Sequence, residues 1–554
     1  MAQPTRNGGR ILVDQLLIQG TDTVFQVPGE SFLAVLDALF DVPAIRTITC
    51  RHEGGAAMMA EATGRLTGRP GIAFVTRAPG AANAVSGVYV ASQGQTPMIL
   101  FVGLPPRRLL MRSAFQDFDL VGLFGAMARH VEIAASANLL PEILARAFAM
   151  SMAGRPGPVV IGLPEDVLME TATVTDVRRV DRARTGVSRS TMNDLAERLA
   201  NSEQPIVIVG GPHWSREVQH AVQNFALRFD LPVAAAFRAQ DYIDNRHPCY
   251  CGHIGINMDP KLATAIRAAD LLIVMGAPLD DIGTAGWTLI SAPEPSQRLV
   301  LIHPAGAHPR DGVRPSLTVL ASAADFAPEL KSLEPPTERP WKTFRRDLRH
   351  AFEATQRVLE TPGSIQLGKA VRQVSDRLGE DAIITSGAGN FSQFVHRYFT
   401  YTGFGTSLAP ASGTMGYGLP AAIAAKIAEP QRTVIAFAGD GCFMMTAQEL
   451  ATAVQYGLNM IVIVADNGMY GTIRMHQERA FPGRVSGTSL INPDFAALAR
   501  SFGANAQTIT TNDAFDLALE QALTSPGIHV LTLKLDPEAI TPQKTLAQIA
   551  TAQT

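Results

Sequence analysis

Cysteine is scarce in this chain. Four cysteines (Cys50, Cys249, Cys251, Cys442) among 554 residues are too few and too scattered for a disulfide framework. Cys249-Tyr250-Cys251 has no second pair to complete a metal knuckle, so the thiols read as structural. Charge of one sign is lacking too. Lys and Arg number 47 against 50 Asp and Glu, a formal net charge of −3, and this gives no electrostatic case for nucleic acid. No uninterrupted apolar run reaches the ~18 residues of a membrane span. The opening MAQPTRNGGR lacks the basic-then-apolar layout of a secretory signal. No short-period repeat marks a solenoid. These absences leave a soluble, cytoplasmic enzyme with neither nucleic acid nor membrane as partner.

What is present is enough apolar material, 46% of residues, to bury large cores. The length suits about three domains. Two breaks divide it. Residues 180–191 (VDRARTGVSRST) are polar and basic, and residues 333–340 (LEPPTERP) are rich in proline and charge, as linkers are. The blocks between them, 1–180, 192–335 and 360–540, alternate apolar strands with helical segments. The spacing predicts strands over Pro205–Val209 and Leu271–Met275 in the middle block. The expected fold class is α/β, with three doubly wound parallel-sheet domains.

The most informative stretch is Gly439-Asp440-Gly441, followed twenty-seven positions after the aspartate by Asn467. Thr433–Ala438 (TVIAFA) and Met460–Ala465 (MIVIVA) read as strands buried on both faces. Between them, Thr446 and Glu449 have capping-box spacing. Leu450, Ala453 and Val454 supply an apolar helical stripe, and Gly457 a stop. A right-handed crossover would set Asp440 beside Asn467 at the carboxyl ends of adjacent parallel strands, where ligands sit in such sheets. A carboxylate, an amide oxygen and the backbone carbonyl of Met469 suit a hard cation such as Mg²⁺, which shares its oxygen ligands with phosphate. In the first block Ile45–Cys50 reads as a strand, followed by Arg51-His52-Glu53 and a helical run, so Glu53 also stands at a strand's carboxyl end. Ser386-Gly387-Ala388-Gly389-Asn390 is a glycine-rich loop after the strand Ala382–Thr385, where amides can approach phosphate.

The run GDGCFMMTAQELATAVQYGLNMIVIVADNGMYG resembles the thiamine-diphosphate motif of the thiamin-dependent enzymes, and most of all the acetolactate synthase branch. The resemblance extends from Gln26-Val27-Pro28-Gly29-Glu30 to about Leu535. It implies the thiamin-diphosphate-binding fold: a pyrimidine-binding domain, a central Rossmann-like domain and a diphosphate-binding domain. It implies that Glu53, in the RHE motif, bonds the aminopyrimidine and is catalytic. Within Ser412-Gly413-Thr414-Met415-Gly416, it makes Met415 the wedge beneath a bent cofactor and Gly413 a backbone contact. Pro28, Gly80, Asn83, Gly389, Asn390, Gly439, Gly441, Cys442, Thr472 and Ile473 become further cofactor contacts, with Asp440, Asn467 and Met469 at the metal. Phe115-Gln116 resembles the family's pair near the reacting carbon. Ala78-Pro79-Gly80 and Asn83 match its G-P-G-x-x-N loop, with Ala78 replacing the first glycine. Arg77 beside that loop is equally a partner for a substrate carboxylate and a surface or interface arginine, and His52 is open between proton transfer and packing.

Two departures stand out. His476 occupies the position of the branch's substrate-lining tryptophan. Met275–Asp281 (MGAPLDD) resembles its flavin-contacting loop but carries Ala277-Pro278 where a basic residue is usual, which leaves FAD open. The resulting expectation is decarboxylation of a 2-oxo acid such as pyruvate with carboligation to a second, dependent on thiamine diphosphate and Mg²⁺. A non-ligating decarboxylase or lyase of oxalyl-CoA, benzoylformate or 2-hydroxyacyl type, and an inactive cofactor-binding subunit, are the alternatives. The resemblance also implies a homodimer or homotetramer with active sites at the subunit interface.

Overall fold

A computed structural model describes residues 4–110, 112–305 and 312–551. Residues 1–3 of the first block and the last three of the tail lie outside the described residues. Eighteen strands form three sheets of six, parallel throughout. The first holds β1 (Thr23–Gln26), β2 (Arg46–Thr49), β3 (Gly71–Thr76), β4 (Met98–Leu104), β5 (His130–Ile133) and β6 (Pro158–Pro164), in the order β2-β1-β3-β4-β6-β5. The second holds β7 (Pro205–Val209), β8 (Val233–Ala235), β9 (Tyr250–His253), β10 (Leu271–Met275), β11 (Arg298–Ile302) and β12 (Leu317–Val319), in the order β9-β8-β7-β10-β11-β12. The third holds β13 (Ile383–Ser386), β14 (Ser407–Leu408), β15 (Val434–Gly439), β16 (Met460–Asp466), β17 (Asn505–Ile509) and β18 (Ile528–Lys534), in the order β14-β13-β15-β16-β18-β17. The first and third orders are the same permutation, and the second is the dinucleotide-fold order. Strands β4, β6, β15 and β16 are buried along their whole length, as parallel strands covered on both faces must be.

The outer two sheets meet through their helices. Helices α1 (Glu53–Thr67) and α2 (Arg77–Gly94) cover the first sheet; α3 (Phe391–Tyr398) and α4 (Gly418–Ala428) cover the third. Small residues let α1, α2 and α4 approach closely. A Cβ on Gly87 would lie 2.4 Å from that of Ala57. One apolar cluster therefore runs across both blocks, including Ala57 and Met58 from α1 and Ala421 and Ile423 from α4. Buried polar groups fasten it. Glu61, with no exposed surface, accepts from Tyr417 Oη at 2.6 Å and Thr96 Oγ1 at 2.7 Å.

The expected capping box does not form. Thr446 Oγ1 donates instead to the Gly416 carbonyl at 2.7 Å. Glu449 accepts from the amide of Arg51 at 3.2 Å and from Thr452 Oγ1 at 2.6 Å. Tertiary partners have taken both side chains, and a 3₁₀ turn (Ala447–Glu449) precedes the helix. The helix itself, α6 (Leu450–Gln455), keeps its buried Leu450 and Ala453 and stops before Gly457 at φ +59°. The first linker is shorter than its composition suggests: Ser188 caps a helix that starts at Arg189. All four cysteines are buried and free. No helix among the described residues is long and apolar enough to cross a membrane.

His253 on the central sheet, half-buried, and His396 on α3, buried, lie together with ring centroids 6.3 Å apart. Burial pushes the His253 imidazole down to about 4, and burial beside Arg238 pushes His396 well below the usual histidine range. The unfolded chain then binds more protons than the folded one from about pH 6.5 downward, so stability falls as pH drops through that window. Chemical denaturation between pH 7 and pH 4.5 is expected to show this loss. The His253→Gln variant should lose less, by at most about 3 kcal/mol.

Candidate functional site

The third sheet reverses its order between β13 and β15, which opens a crevice outside their carboxyl ends. Gly439 pairs with Ala465 across β15 and β16, so Asp440 and Asp466–Asn467 leave the sheet side by side. Asp440 is 3% exposed and opens the short helix α5 (Asp440–Met444). Its Oδ1 accepts from the Gly441 amide at 2.8 Å. Its Oδ2 accepts from the Gly468 amide and from Asn492 Nδ2, both at 2.8 Å. The same Asn492 Nδ2 donates to Asp466 Oδ1 at 2.9 Å, and Asp466 forms an ion pair with Lys534. Burial, together with the Asp466 charge, raises the Asp440 carboxyl above its ordinary value. Two carboxylates so close and so buried favour a cation.

Around them lies a cavity of about 230 Å³. The twelve third-block residues expected at the cofactor or metal line it: Gly389, Asn390, Gly413, Met415, Gly439, Asp440, Gly441, Cys442, Asn467, Met469, Thr472 and Ile473. Helix α7 (Gly471–Ala480) points its first turn at the cavity; its ladder begins with the Arg474 amide on the Tyr470 carbonyl, 3.0 Å, which leaves earlier amides free for an anion. Thr472 Oγ1 donates to Asn390 Oδ1 at 3.1 Å and ties this turn to the glycine loop. Cys442 faces inward, its Sγ accepting from the Gly416 amide at 3.2 Å, and burial raises its thiol. Gly413 has φ +68° with open space where a Cβ would be, and Gly441 is closed to any Cβ, which would lie 2.6 Å from the Tyr470 ring. The tail closes one side: Leu535, Ala539 and Ile540 line the cavity, and Leu546 and Ile549 pack on Met475 with Ile540.

The first-block residues gather elsewhere, at the start of α2. Glu53 Oε2 accepts from Asn83 Nδ2 at 2.9 Å, and a Cβ on Gly80 would lie 3.4 Å from Glu53 Oε1. His52 Nδ1 accepts from the Gly54 amide at 3.0 Å, so this histidine caps α1. Arg77, at φ +44°, has Nη2 3.3 Å from Glu30 and 3.4 Å from Glu165, and its Nη1 donates to the Phe115 carbonyl at 3.4 Å. The Ala78 amide donates to the Gln116 carbonyl at 3.1 Å. Phe115 is 73% exposed and Gln116 has φ +61°. Pro28 is exposed at the end of β1. None of these residues lines the third-block cavity. His476 is exposed on α7 and does not line it either.

Asn492 and Lys534 went unread in the sequence, and Glu449 was read only as half of a capping box. Asp466 adjoins Asn467 and could have been noticed; Asn492, in a loop twenty-five positions further on, carries no local signal. Among the described residues there is no cluster of three or more His, Cys, Asp or Glu able to hold a metal alone. Asp440, Asn467 and the Met469 carbonyl form a different kind of set, an incomplete oxygen cradle that a phosphate-bearing ligand would fill out.

Three family descriptions match the chain: the N-terminal TPP binding domain of thiamine pyrophosphate enzymes over residues 6–123, their central domain over 192–330, and their C-terminal TPP binding domain over 387–533. Among curated proteins, it is 31% identical over 535 residues to the acetolactate synthase isozyme 2 large subunit of Escherichia coli (strain K12), covering 96% of each chain. It is 29% identical to the acetolactate synthase large subunit of Parasynechococcus marenigrum, covering 95% of this chain and 87% of that one. It is 28% identical to the mitochondrial acetolactate synthase catalytic subunit of Saccharomyces cerevisiae, covering 96% and 80%.

Gly441→Ala tests the cradle's packing. The added methyl meets the Tyr470 ring, and a loss of roughly 1–3 kcal/mol is expected in urea unfolding. Adding Tyr470→Ala should recover part of it relative to Tyr470→Ala alone.

Proposed function

The chain belongs to the thiamine pyrophosphate enzymes, with the acetolactate synthase large subunits, and from that premise we propose that it is a thiamine-diphosphate- and Mg²⁺-dependent carboligase. It would decarboxylate one 2-oxo acid, such as pyruvate, and join the acyl unit to a second, releasing a 2-hydroxy-2-alkyl-3-oxo acid and CO₂. The observation that carries the metal and coenzyme part is Asp440, a buried carboxylate bridged to Asp466 by Asn492, lining a cavity edged by the free amides of the first turn of α7.

The residues fit the coenzyme by their chemistry. Asp440, Asn467 and the Met469 carbonyl would hold Mg²⁺, leaving positions for diphosphate oxygens. Amides of α7 and of the Gly389–Asn390 loop would bind the diphosphate. Cys442 joins through its backbone, because its thiol is spent on Gly416. Met415, half-buried on the opposite wall, would shape the space between the rings. Thiamine diphosphate, when bound, supplies the electron sink for loss of CO₂ from a 2-oxo acid.

Glu53 would hold a proton at the pyrimidine nitrogen. Asn83 occupies Oε2 from one side and turns Oε1 toward the open face near Gly80. Pro28 would bound the pyrimidine, and Phe115 and Gln116 would face the reacting carbon. Arg77 is part-neutralised by Glu30 and Glu165, which suits it to orienting the Phe115–Gln116 loop more than to gripping a carboxylate. Ligation itself needs no flavin, because the thiamine coenzyme supplies the electron sink. At the central crevice, the Gly210 and Gly211 carbonyls are taken by Trp214 and Tyr242 of the chain itself.

Glu53 and the cavity do not meet within one chain, so a second copy would complete each site. Exposed apolar side chains support such an assembly: Tyr89 and Phe115 in the first block, Met444, Met445 and Ile473 beside the cavity. A homodimer is the smallest active form.

Product analysis tests the function. With pyruvate, thiamine diphosphate and Mg²⁺, mass spectrometry should find acetolactate and one CO₂ per ligation. Free acetaldehyde as the sole organic product would replace ligation by simple decarboxylation. Glu53→Gln should lower kcat by roughly 100-fold or more while calorimetric binding of thiamine diphosphate with Mg²⁺ persists.

A further inference from the structure

A second cavity, of about 370 Å³, lies where the three blocks meet. Its walls come from the end of α1, the end of α2, the loops after β7, β8 and β10, and the segment around Arg432. It adjoins the switch point of the central sheet, between β7 and β10, where a dinucleotide binds in sheets of this order.

The switch point itself is closed by protein. The two loops touch backbone to backbone: a Cβ on Gly211 would lie 1.7 Å from the Gly276 carbonyl oxygen. Trp214 Nε1 donates to the Gly210 carbonyl and Tyr242 Oη to the Gly211 carbonyl, both at 2.8 Å. The Trp214 and Tyr242 rings lie 5.0 Å apart, and Phe404 stands edge-on to Tyr242 at 5.1 Å. What stays open is the space beside this stack.

That space is cationic. Arg65, Arg216, Arg238 and Arg432 line it, and Glu429 is the one carboxylate among its lining residues. Arg216 pairs with Asp381. The other three spend their donors on neutral acceptors. Arg65 donates to the Ala409 and Arg238 carbonyls, both at 2.8 Å. Arg432 donates to the Asp381 carbonyl at 2.6 Å and the Gly405 carbonyl at 2.8 Å. Arg238, 4% exposed, donates to His396 Nε2 at 2.7 Å, Ser386 Oγ at 3.1 Å, the Gly387 carbonyl at 3.3 Å and Ser392 Oγ at 3.4 Å. Its Nε has no partner. None of these three forms an ion pair with a described carboxylate. Glu61, one turn earlier on α1, is the acid that acts most on Arg65, but its oxygens are bonded to Tyr417 and Thr96. Asp241 acts less, its Oδ2 accepting from the amides of Gly405, Thr406 and Ser407 at 3.0, 3.1 and 3.1 Å. Burial, with Arg65 alongside, pushes the Arg238 guanidinium down to about 10. A buried cation without a counter-ion is costly unless an anion reaches it. Guanidinium groups match the planar oxygens of carboxylate and phosphate.

We propose that this junction cavity binds a small oxyanion, a phosphate- or carboxylate-bearing molecule, on Arg238, Arg65 and Arg432, in place of a dinucleotide. The proposal is independent of the carboligase function, since it concerns a different cavity.

Calorimetry at constant ionic strength tests it, with inorganic phosphate, pyrophosphate and succinate as separate probes and chloride as the control. Saturable binding of phosphate or pyrophosphate alone identifies a phosphate site, and binding of succinate a carboxylate site. Arg432→Met should weaken the binding by about tenfold, whereas Asn467→Ala, in the other cavity, should leave it unchanged. Should Arg432→Met fold poorly, Arg432→Gln, which keeps a donor for the Gly405 carbonyl, takes its place with the same expectation. Absence of saturable binding by all three probes overturns the proposal. So does the reverse pattern, in which Asn467→Ala abolishes binding and the arginine variant does not. Stoichiometric flavin absorbance in the purified protein, displaced by none of the probes, overturns it as well.

Discussion

Asp440 and Asp466 end adjacent parallel strands, and each is 3% exposed. Two like charges held that close and that dry cost several kcal/mol unless they are compensated. Lys534 pairs with Asp466, Asn492 donates to both carboxylates, and the Gly441 and Gly468 amides serve Asp440. The neighbouring structure follows from this constraint. Gly441 has no side chain because Tyr470 fills the space beside it, and Gly468 takes φ +69° to present its amide. Asn467 and Met469 stay at the cavity's edge with oxygens to offer. The cation of the proposed coenzyme complex is the remaining compensation.

One topology is used twice, for two purposes. The first and third sheets share a strand order, yet the proposed site uses the switch point of the third and, in the first, the turn after its second strand, where Glu53 begins α1. Close contact between α1 and α4, fastened by Glu61 to Tyr417 and by Glu449 to the Arg51 amide, links the two blocks of one chain. Glu449 stands nine positions beyond Asp440, so the segment that bears Asp440 also holds the turn that bears Glu53. The two proposed half-sites of a chain are joined mechanically although they share no cavity.

The central block keeps the dinucleotide order of strands, but its crevice is filled by its own Trp214 and Tyr242 and by Phe404 of the third block. Strand order alone therefore says little about what a sheet binds. Side chains at the carboxyl ends decide, and here they leave a cationic pocket beside a closed switch point.

Much of this was legible in the chain. Pro205–Val209 and Leu271–Met275 are strands with the expected bounds, because a short apolar run between turn residues has few other ways to be buried. The twelve third-block residues lining one cavity were all legible too, because they sit on strand-end loops whose spacing a βαβ unit dictates. The Thr446–Glu449 capping box failed because distant partners, Gly416 and Arg51, outcompeted the local bonds. By itself the sequence determined which segments are buried strands and which oxygen and amide groups leave their ends, since hydrophobic period and turn chemistry are local. Only the tertiary structure decided that Asn492 bridges two carboxylates, that Glu53 stands apart from the cavity, and that Arg238 is buried without a counter-ion. Those are contacts between residues far apart in the chain, and no local pattern encodes them.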